Sequence, residues 1–156
     1  LGAAYDKGGK FAASGKANKA LLEQLNKVEF NSLKAPKSLG IEYIEENYFP
    51  LIKASKVSVE DKLCTMVEHI AMQIASNLQK GKVLVTGGGA KNSFLISRLK
   101  HHYKGEVVVP ANEVIDFKEA IIFAFLGVLR TLNLSNCLSS VTGAKYDCSG
   151  GVIIEG

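Results

Sequence analysis

The sequence predicts an α/β domain, rich in helix, with a small and mostly parallel sheet. Three observations predict it. A β-branched run, Lys82-Val83-Leu84-Val85-Thr86, leads into three glycines and then a helical pattern. A second apolar run at residues 106–109 follows that helix and closes at Pro110. Elsewhere, apolar residues recur at helical spacing. The order strand, glycine turn, helix, strand, helix calls for parallel strands joined by a helical crossover. Two or three strands against about five helices make a thin sheet for one core, so further strands are expected early in the chain or before Leu1.

Residues 1–15 are rich in Gly, Ala and Lys, with turn signals at Gly8-Gly9 and Ser14-Gly15. From Asn18 the spacing of Leu21, Leu22, Leu25 and Val28 predicts a helix. Ala35-Pro36 breaks the pattern, because proline pushes its predecessor out of the helical region. Ser38 is read as the cap of a helix with Ile41, Ile44 and Tyr48 inward, stopped at Pro50. Ser58-Val59-Glu60-Asp61 reads as a capping box. Leu63, Val67, Ile70, Ile74 and Leu78 follow as one stripe, widened by Cys64, Ala71 and Ala75, and the helix is expected to end near Lys80-Gly81. After the first strand, residues 92–100 are helical. Asp116 opens a last long helix, apolar nearly all round to about Leu132 and therefore expected to be buried on several sides. Gly151-Val152-Ile153-Ile154 is read as a final short strand.

Of the 156 residues, 47% are hydrophobic and 22% charged, the balance of a folded domain rather than a disordered chain. The length suits one domain or half of a two-domain enzyme. The longest apolar run, residues 120–129, falls short of the roughly 18 that suggest a membrane span. Nineteen basic against 15 acidic residues give a net +4, scattered rather than clustered, so neither a nucleic-acid arm nor a membrane partner is indicated. Cys64, Cys137 and Cys148 form no CxxC pair and no metal spacing, and are read as reduced, buried thiols in an intracellular protein. The chain opens at Leu1 with no leader pattern and reads as beginning inside a longer protein.

Chemistry concentrates in Thr86-Gly87-Gly88-Gly89-Ala90-Lys91-Asn92. Glycines between a strand and a helix let the backbone approach a ligand, and the helix start offers amides to a phosphate. Neither the dinucleotide fingerprint nor the P-loop is met. Two readings stand: a nucleotide contact through Gly87, Gly88, Gly89 and Asn92, or a tight connection without a ligand. Asp116 and Glu119 fit a helix cap, Asp116 at the cap and Glu119 reaching back, or a polar pair facing a substrate. Asp6 in Tyr5-Asp6-Lys7-Gly8-Gly9 is read first as a turn residue. His101 and His102, at a helix end, are read as partners of the last carbonyls. No His and carboxylate spacing indicates a metal site.

Five segments in order then resemble one family. They are Tyr5-Asp6-Lys7-Gly8-Gly9 with Ala12-Ala13-Ser14-Gly15; Pro36-Lys37-Ser38-Leu39-Gly40; the glycine turn through Asn92; Lys118-Glu119-Ala120 with Phe123-Ala124-Phe125-Leu126; and Ser140-Val141-Thr142-Gly143-Ala144. The series resembles the carboxyl-terminal half of anhydro-N-acetylmuramic acid kinase over nearly the whole chain. The resemblance implies a partial actin-like ATPase fold, of the ribonuclease H-like kind, with residues 1–156 as the carboxyl-terminal lobe of a two-domain sugar kinase whose amino-terminal lobe is absent. It implies ATP with Mg2+ as cofactors and a cytoplasmic protein. The substrate would be 1,6-anhydro-N-acetylmuramic acid, converted during cell-wall recycling to N-acetylmuramic acid 6-phosphate. Gly87, Gly88, Gly89 and Asn92 would lie at the nucleotide and Glu119 at the sugar. The family's catalytic aspartate would precede Leu1, so this chain alone is expected to lack turnover. A homodimer is expected from the resemblance alone. The alternative is a non-catalytic nucleotide-binding or regulatory module of the same fold.

Overall fold

A computed structural model describes residues 2, 4–34 and 37–154. The expected break at Ala35-Pro36 lies outside the described residues. The chain divides into two compact units, Leu1–Pro110 and Ala111–Gly156.

Helix α5 (Val59–Asn77) is the axis of the first unit. Ser58 caps it, its Oγ accepting the Asp61 N–H at 3.1 Å, as the capping-box pattern requires. Helices α1 (Lys10–Ser14), α2 (Lys19–Asn26) and α6 (Ser93–His102) pack against it. Asn18 caps α2 by accepting the Leu21 N–H at 2.9 Å. Leu21 and Leu25 are buried there with Tyr48, and Val28, Ile44, Leu51, Ile52 and Met66 close around them. Each leucine so buried contributes about 2 kcal/mol.

Two short helices supply Ile44 and, at their junction, Tyr48. They are α3 (Ile41–Asn47) and α4 (Phe49–Ala54). The sequence pattern predicts one helix capped by Ser38 and stopped at Pro50; the structure corrects both. Gly40 holds the cap position without a side-chain bond. Pro50 lies in the first turn of α4, where its missing N–H leaves no helical bond unmade. Helix α5 also ends earlier than Lys80-Gly81. Leu78 turns extended at φ −93° and ψ 136°, and Gly81, at φ 144°, does not form a left-handed cap.

The polar groups that α5 buries are all partnered. Thr65 Oγ1 accepts the Asn18 N–H at 2.9 Å and donates to the Asp61 carbonyl at 2.6 Å. His69 donates through Nδ1 to Asn26 Oδ1 at 2.7 Å, and burial holds its ring below the ordinary imidazole range, hence neutral. Glu68 faces α6. It accepts from Arg98 Nε at 2.6 Å, from a terminal guanidinium nitrogen at 2.9 Å, and from His102 Nε2 at 2.7 Å. His102 therefore serves a carboxylate of the next helix, not the last carbonyls of its own as its position suggested.

Strands β1 (Lys82–Leu84) and β2 (Glu106–Val108) pair in parallel, Lys82 opposite Glu106 and Leu84 opposite Val108, with α6 as the crossover. Both are shorter than their apolar runs.

The second unit holds α7 (Asn112–Asp116), α8 (Lys118–Thr131) and α9 (Ser139–Thr142). Asp116 ends α7 and does not cap α8; Phe117 holds that cap position with no side-chain bond. The expected burial of α8 is overturned. Phe123 is 70% exposed and Phe125 60%, and Ile115 is the one buried residue among those described in this unit. So short a unit has too little chain to cover a helix that is apolar on every side. The expected strand at residues 151–154 does not form either. Among the described residues, no helix is long and apolar enough to cross a membrane.

The Glu68 cluster generates a stability prediction. The Arg98 hydrogen bonds are the largest cause holding the Glu68 carboxyl below the ordinary glutamate range. A carboxyl depressed in the folded state stabilises above its unfolded pKa and loses that stabilisation as pH falls through the folded value. Arg98→Met is expected to cost about 2 kcal/mol at neutral pH. In urea titrations, the gap between wild type and variant should close as the pH drops below the glutamate range. A gap that stays constant into acid would contradict this account.

Candidate functional site

The loop between β1 and α6 carries the glycines. Gly87 adopts φ 77° and ψ −179°, a conformation open essentially to glycine alone. It swings the chain off the strand into a 3-10 turn over Gly88–Lys91. Asn92 then caps α6, its Oδ1 accepting the Leu95 N–H at 3.0 Å. The helix thus begins one turn later than the glycines, and the Asn92 carbonyl oxygen is engaged in its start.

The facing wall is residues 5–10. Asp6 organises it: Oδ1 accepts the Phe11 N–H at 3.0 Å and Oδ2 the Ala12 N–H at 2.9 Å, capping α1 from outside the helix, well before its first residue. That bears out a local backbone role for Asp6. A 3-10 turn over Lys7–Gly9 follows. The two walls are tied where Ser93 Oγ donates to the Gly8 carbonyl at 2.9 Å. Gly9 makes the approach feasible: it sits at φ 74°, and a Cβ there would stand 2.7 Å from Phe94 Cβ and closer still to Asn92 Oδ1.

Between the walls lies a cleft of about 730 Å³. Gly88, Gly89, Lys91 and Asn92 line one side, and Tyr5, Asp6, Lys7, Gly8 and Lys10 the other. Cβ atoms on Gly88 or Gly89 would meet nothing within 4 Å. The amides of these two glycines have no acceptor among the described residues. Three lysines with no more than one carboxylate on the lining give the cleft a positive character.

The structure brings Gly88, Gly89 and Asn92 together on that wall. Gly87 turns the chain behind it and is not on the lining. Glu119 belongs to the second unit, exposed in the first turn of α8. Sequence reasoning did not single out Lys7, Lys10 or Lys91 for the site. Two glycine-rich turns far apart in the chain, each with a lysine close by, were the available signal.

Strand, glycine turn and capped helix, faced by a lysine-bearing turn, define an α/β domain with a cleft lined by lysines and backbone amides. The chain matches the family model of anhydro-N-acetylmuramic acid kinase over residues 1–156. It is similar to the anhydro-N-acetylmuramic acid kinase of Hahella chejuensis, 36% identical over 156 residues, covering 95% of this chain and 42% of that protein. The Haemophilus influenzae protein of the same name is 36% identical over 173 residues, covering 97% and 45%. That of Pasteurella multocida is 37% identical over 163 residues, covering 97% and 43%. The chain belongs to the anhydro-N-acetylmuramic acid kinase family, and it spans less than half the length of these relatives.

Gly9→Ala tests how the cleft is held. The added methyl has no room and the backbone angle is unfavourable to alanine. A loss of about 2 kcal/mol is expected, larger than the usual cost of an exposed substitution. Thermal unfolding followed by circular dichroism reads it. An unchanged melting temperature would show that the two walls do not close in this way.

Proposed function

We propose that this chain is the carboxyl-terminal, nucleotide-binding lobe of a cytoplasmic ATP-dependent sugar kinase of two domains. The full protein would convert 1,6-anhydro-N-acetylmuramic acid to N-acetylmuramic acid 6-phosphate in cell-wall recycling, water opening the anhydro ring as the phosphoryl group moves. Family membership supports the reaction class. The observation that carries the site is the cleft: two glycines bare to open space, facing lysines, just past the carboxyl end of a parallel strand. Ligands of open α/β sheets bind at that end.

The lining fits the phosphates of ATP. Amides of Gly88 and Gly89 can donate to phosphate oxygens at no cost in reorganisation, and Lys7 and Lys10 supply charge. Mg2+ fits as the ion that ATP carries, because the one carboxylate on the described lining, Asp6, already turns each oxygen to a backbone amide. When bound, the ion draws charge from the transferred phosphoryl group. Asn92 keeps its amide nitrogen for a ligand while its oxygen holds α6. Glu119, exposed on α8, is assigned to the sugar, where a carboxylate accepts from hydroxyls.

Gly88→Asp is the direct test. Gly88 has room for a side chain, so the fold should persist while a carboxylate enters the cleft. Titration with a non-hydrolysable ATP analogue is expected to show a loss of at least about tenfold, or 1.4 kcal/mol. Unchanged affinity in a folded variant removes the nucleotide reading. For the sugar, Glu119→Gln in the full-length protein is expected to lower kcat/KM for the anhydro sugar by about ten- to a hundredfold, the loss of a charged hydrogen bond. KM for ATP should stay as it was. An equal rise in both KM values would speak against a sugar contact.

A further inference from the structure

The chain carries a pair of cysteines that its sequence does not bring together. Cys137 and Cys148 face each other in an isolated antiparallel bridge. The Cys137 N–H donates to the Cys148 carbonyl at 2.9 Å, and the Cys148 N–H donates to the Cys137 carbonyl at 3.0 Å. Residues that exchange both bonds stand directly opposite, with Cα atoms about 5.5 Å apart and side chains on the same face of the ribbon. That separation is in the middle of the range a disulfide spans.

The flanks hold the pair in place. The Asn136 N–H also donates to the Cys148 carbonyl, at 3.1 Å, and the Asn136 side chain bonds both the N–H and the carbonyl of Gly150. One step inside the bridge, Asp147 Oδ1 accepts the Ser139 N–H at 2.7 Å and the Ser139 hydroxyl at 2.6 Å. The pairing is thus fixed on both sides of the two cysteines. Access is also present: Cys148 is exposed and Cys137 half-buried, and both are free thiols. Both differ from the buried, inert thiols that the sequence suggested. Cys64 alone fits that description. It is buried on α5, and burial, with Glu68 close by, pushes its thiol above the ordinary range.

We propose that Cys137 and Cys148 are a reversible thiol–disulfide site that closes the loop carrying Ser140-Val141-Thr142-Gly143-Ala144. The oxidant is a small-molecule disulfide of the glutathione class. The exposed Cys148 thiolate attacks one of its sulfurs and expels a first thiolate, leaving a mixed disulfide. The Cys137 thiolate then attacks Cys148 Sγ and expels the second. The two protein thiols lose two electrons and two protons, and the small disulfide takes them up as two thiols. In the reduced chain the Cys137 S–H donates to Asn136 Oδ1 at 3.5 Å, a weak contact that the new bond replaces.

The full chain, first reduced, is equilibrated with mixtures of oxidised and reduced glutathione and quenched with N-ethylmaleimide. Intact mass spectrometry is expected to show a loss of about 2 Da, the two thiol hydrogens, with two fewer labelled cysteines. Trypsin cuts after Lys145, between the two cysteines, so without reductant the peptide of residues 131–145 should stay linked to the one beginning at Tyr146. In Cys137→Ser the Cys148 thiol has no resolving partner, so bound glutathione should persist. Both positions tolerate serine by their exposure, and far-ultraviolet circular dichroism confirms the fold of the variant. The proposal is overturned if wild type ends with glutathione on each cysteine separately, with chains cross-linked to one another, or with both thiols free in a fully oxidised glutathione pool. It is equally overturned if Cys137→Ser sheds its glutathione as wild type does.

Discussion

Helix α5 takes a polar group into each interface it makes, and every one of those groups must find its partner for the packing to stabilise anything. Asp61 accepts the Lys16 N–H at 2.7 Å, Thr65 accepts the Asn18 N–H, His69 meets Asn26, and Glu68 meets Arg98 and His102. A buried polar group left unpaired costs about 1–3 kcal/mol, comparable to burying a leucine. The predicted apolar stripe does not fix the packing of α5, since Ile70 and Ile74 stay exposed and Cys64, Thr65, His69 and Ala71 are the buried residues instead. The polar contacts allow one register. They set where α1 ends and α2 begins, and they set which face of α6 turns inward.

The cleft inherits its shape from that register. The Asp61 and Thr65 bonds pin residues 16–18, so α1 has a fixed end; the Asp6 carboxylate fixes its beginning. Helix α6 is held from its far side by Glu68, which leaves its start to meet the Lys7–Gly9 turn through Ser93. Two walls that are remote in sequence are thereby aligned without any contact that fills the space between them. A rigid scaffold that positions loops is the usual arrangement for a binding site, and here the scaffold is a single helix with its four polar anchors.

Much of this was legible in the residues. Ser58 with the stripe behind it gave α5, Asn18 gave the start of α2, and the run of residues 82–86 before three glycines gave the strand and turn. What failed did so for identifiable reasons. Pro50 is compatible with a helix end and with a first turn, and only the packing of Tyr48 against Leu21 and Leu25 decides for the latter. Asp116 has cap chemistry, but a preceding turn of helix, α7, took it instead. The Glu68 partnership was concealed because Arg98 and His102, spaced to share one helix face, reveal a pair of nitrogen donors without revealing what they face. At the site, the glycine wall was legible from local pattern. The lysine wall was not, since its approach depends on contacts across more than half the chain.

The three consecutive glycines have separate physical reasons, and the difference bears on function. Gly87 is required by the fold, because its backbone angles exclude other residues. Gly88 and Gly89 are not so required: neither has a left-handed angle, and neither would meet a neighbour if it gained a side chain. Glycine at such a position costs roughly 0.5–1 kcal/mol of backbone entropy against alanine. The turn would form with alanine at both. What alanine would change is the cleft surface, placing methyl groups between the lysine wall and the exposed amides. The folding of this chain therefore explains the first glycine and not the other two, a difference in keeping with the proposed nucleotide contact.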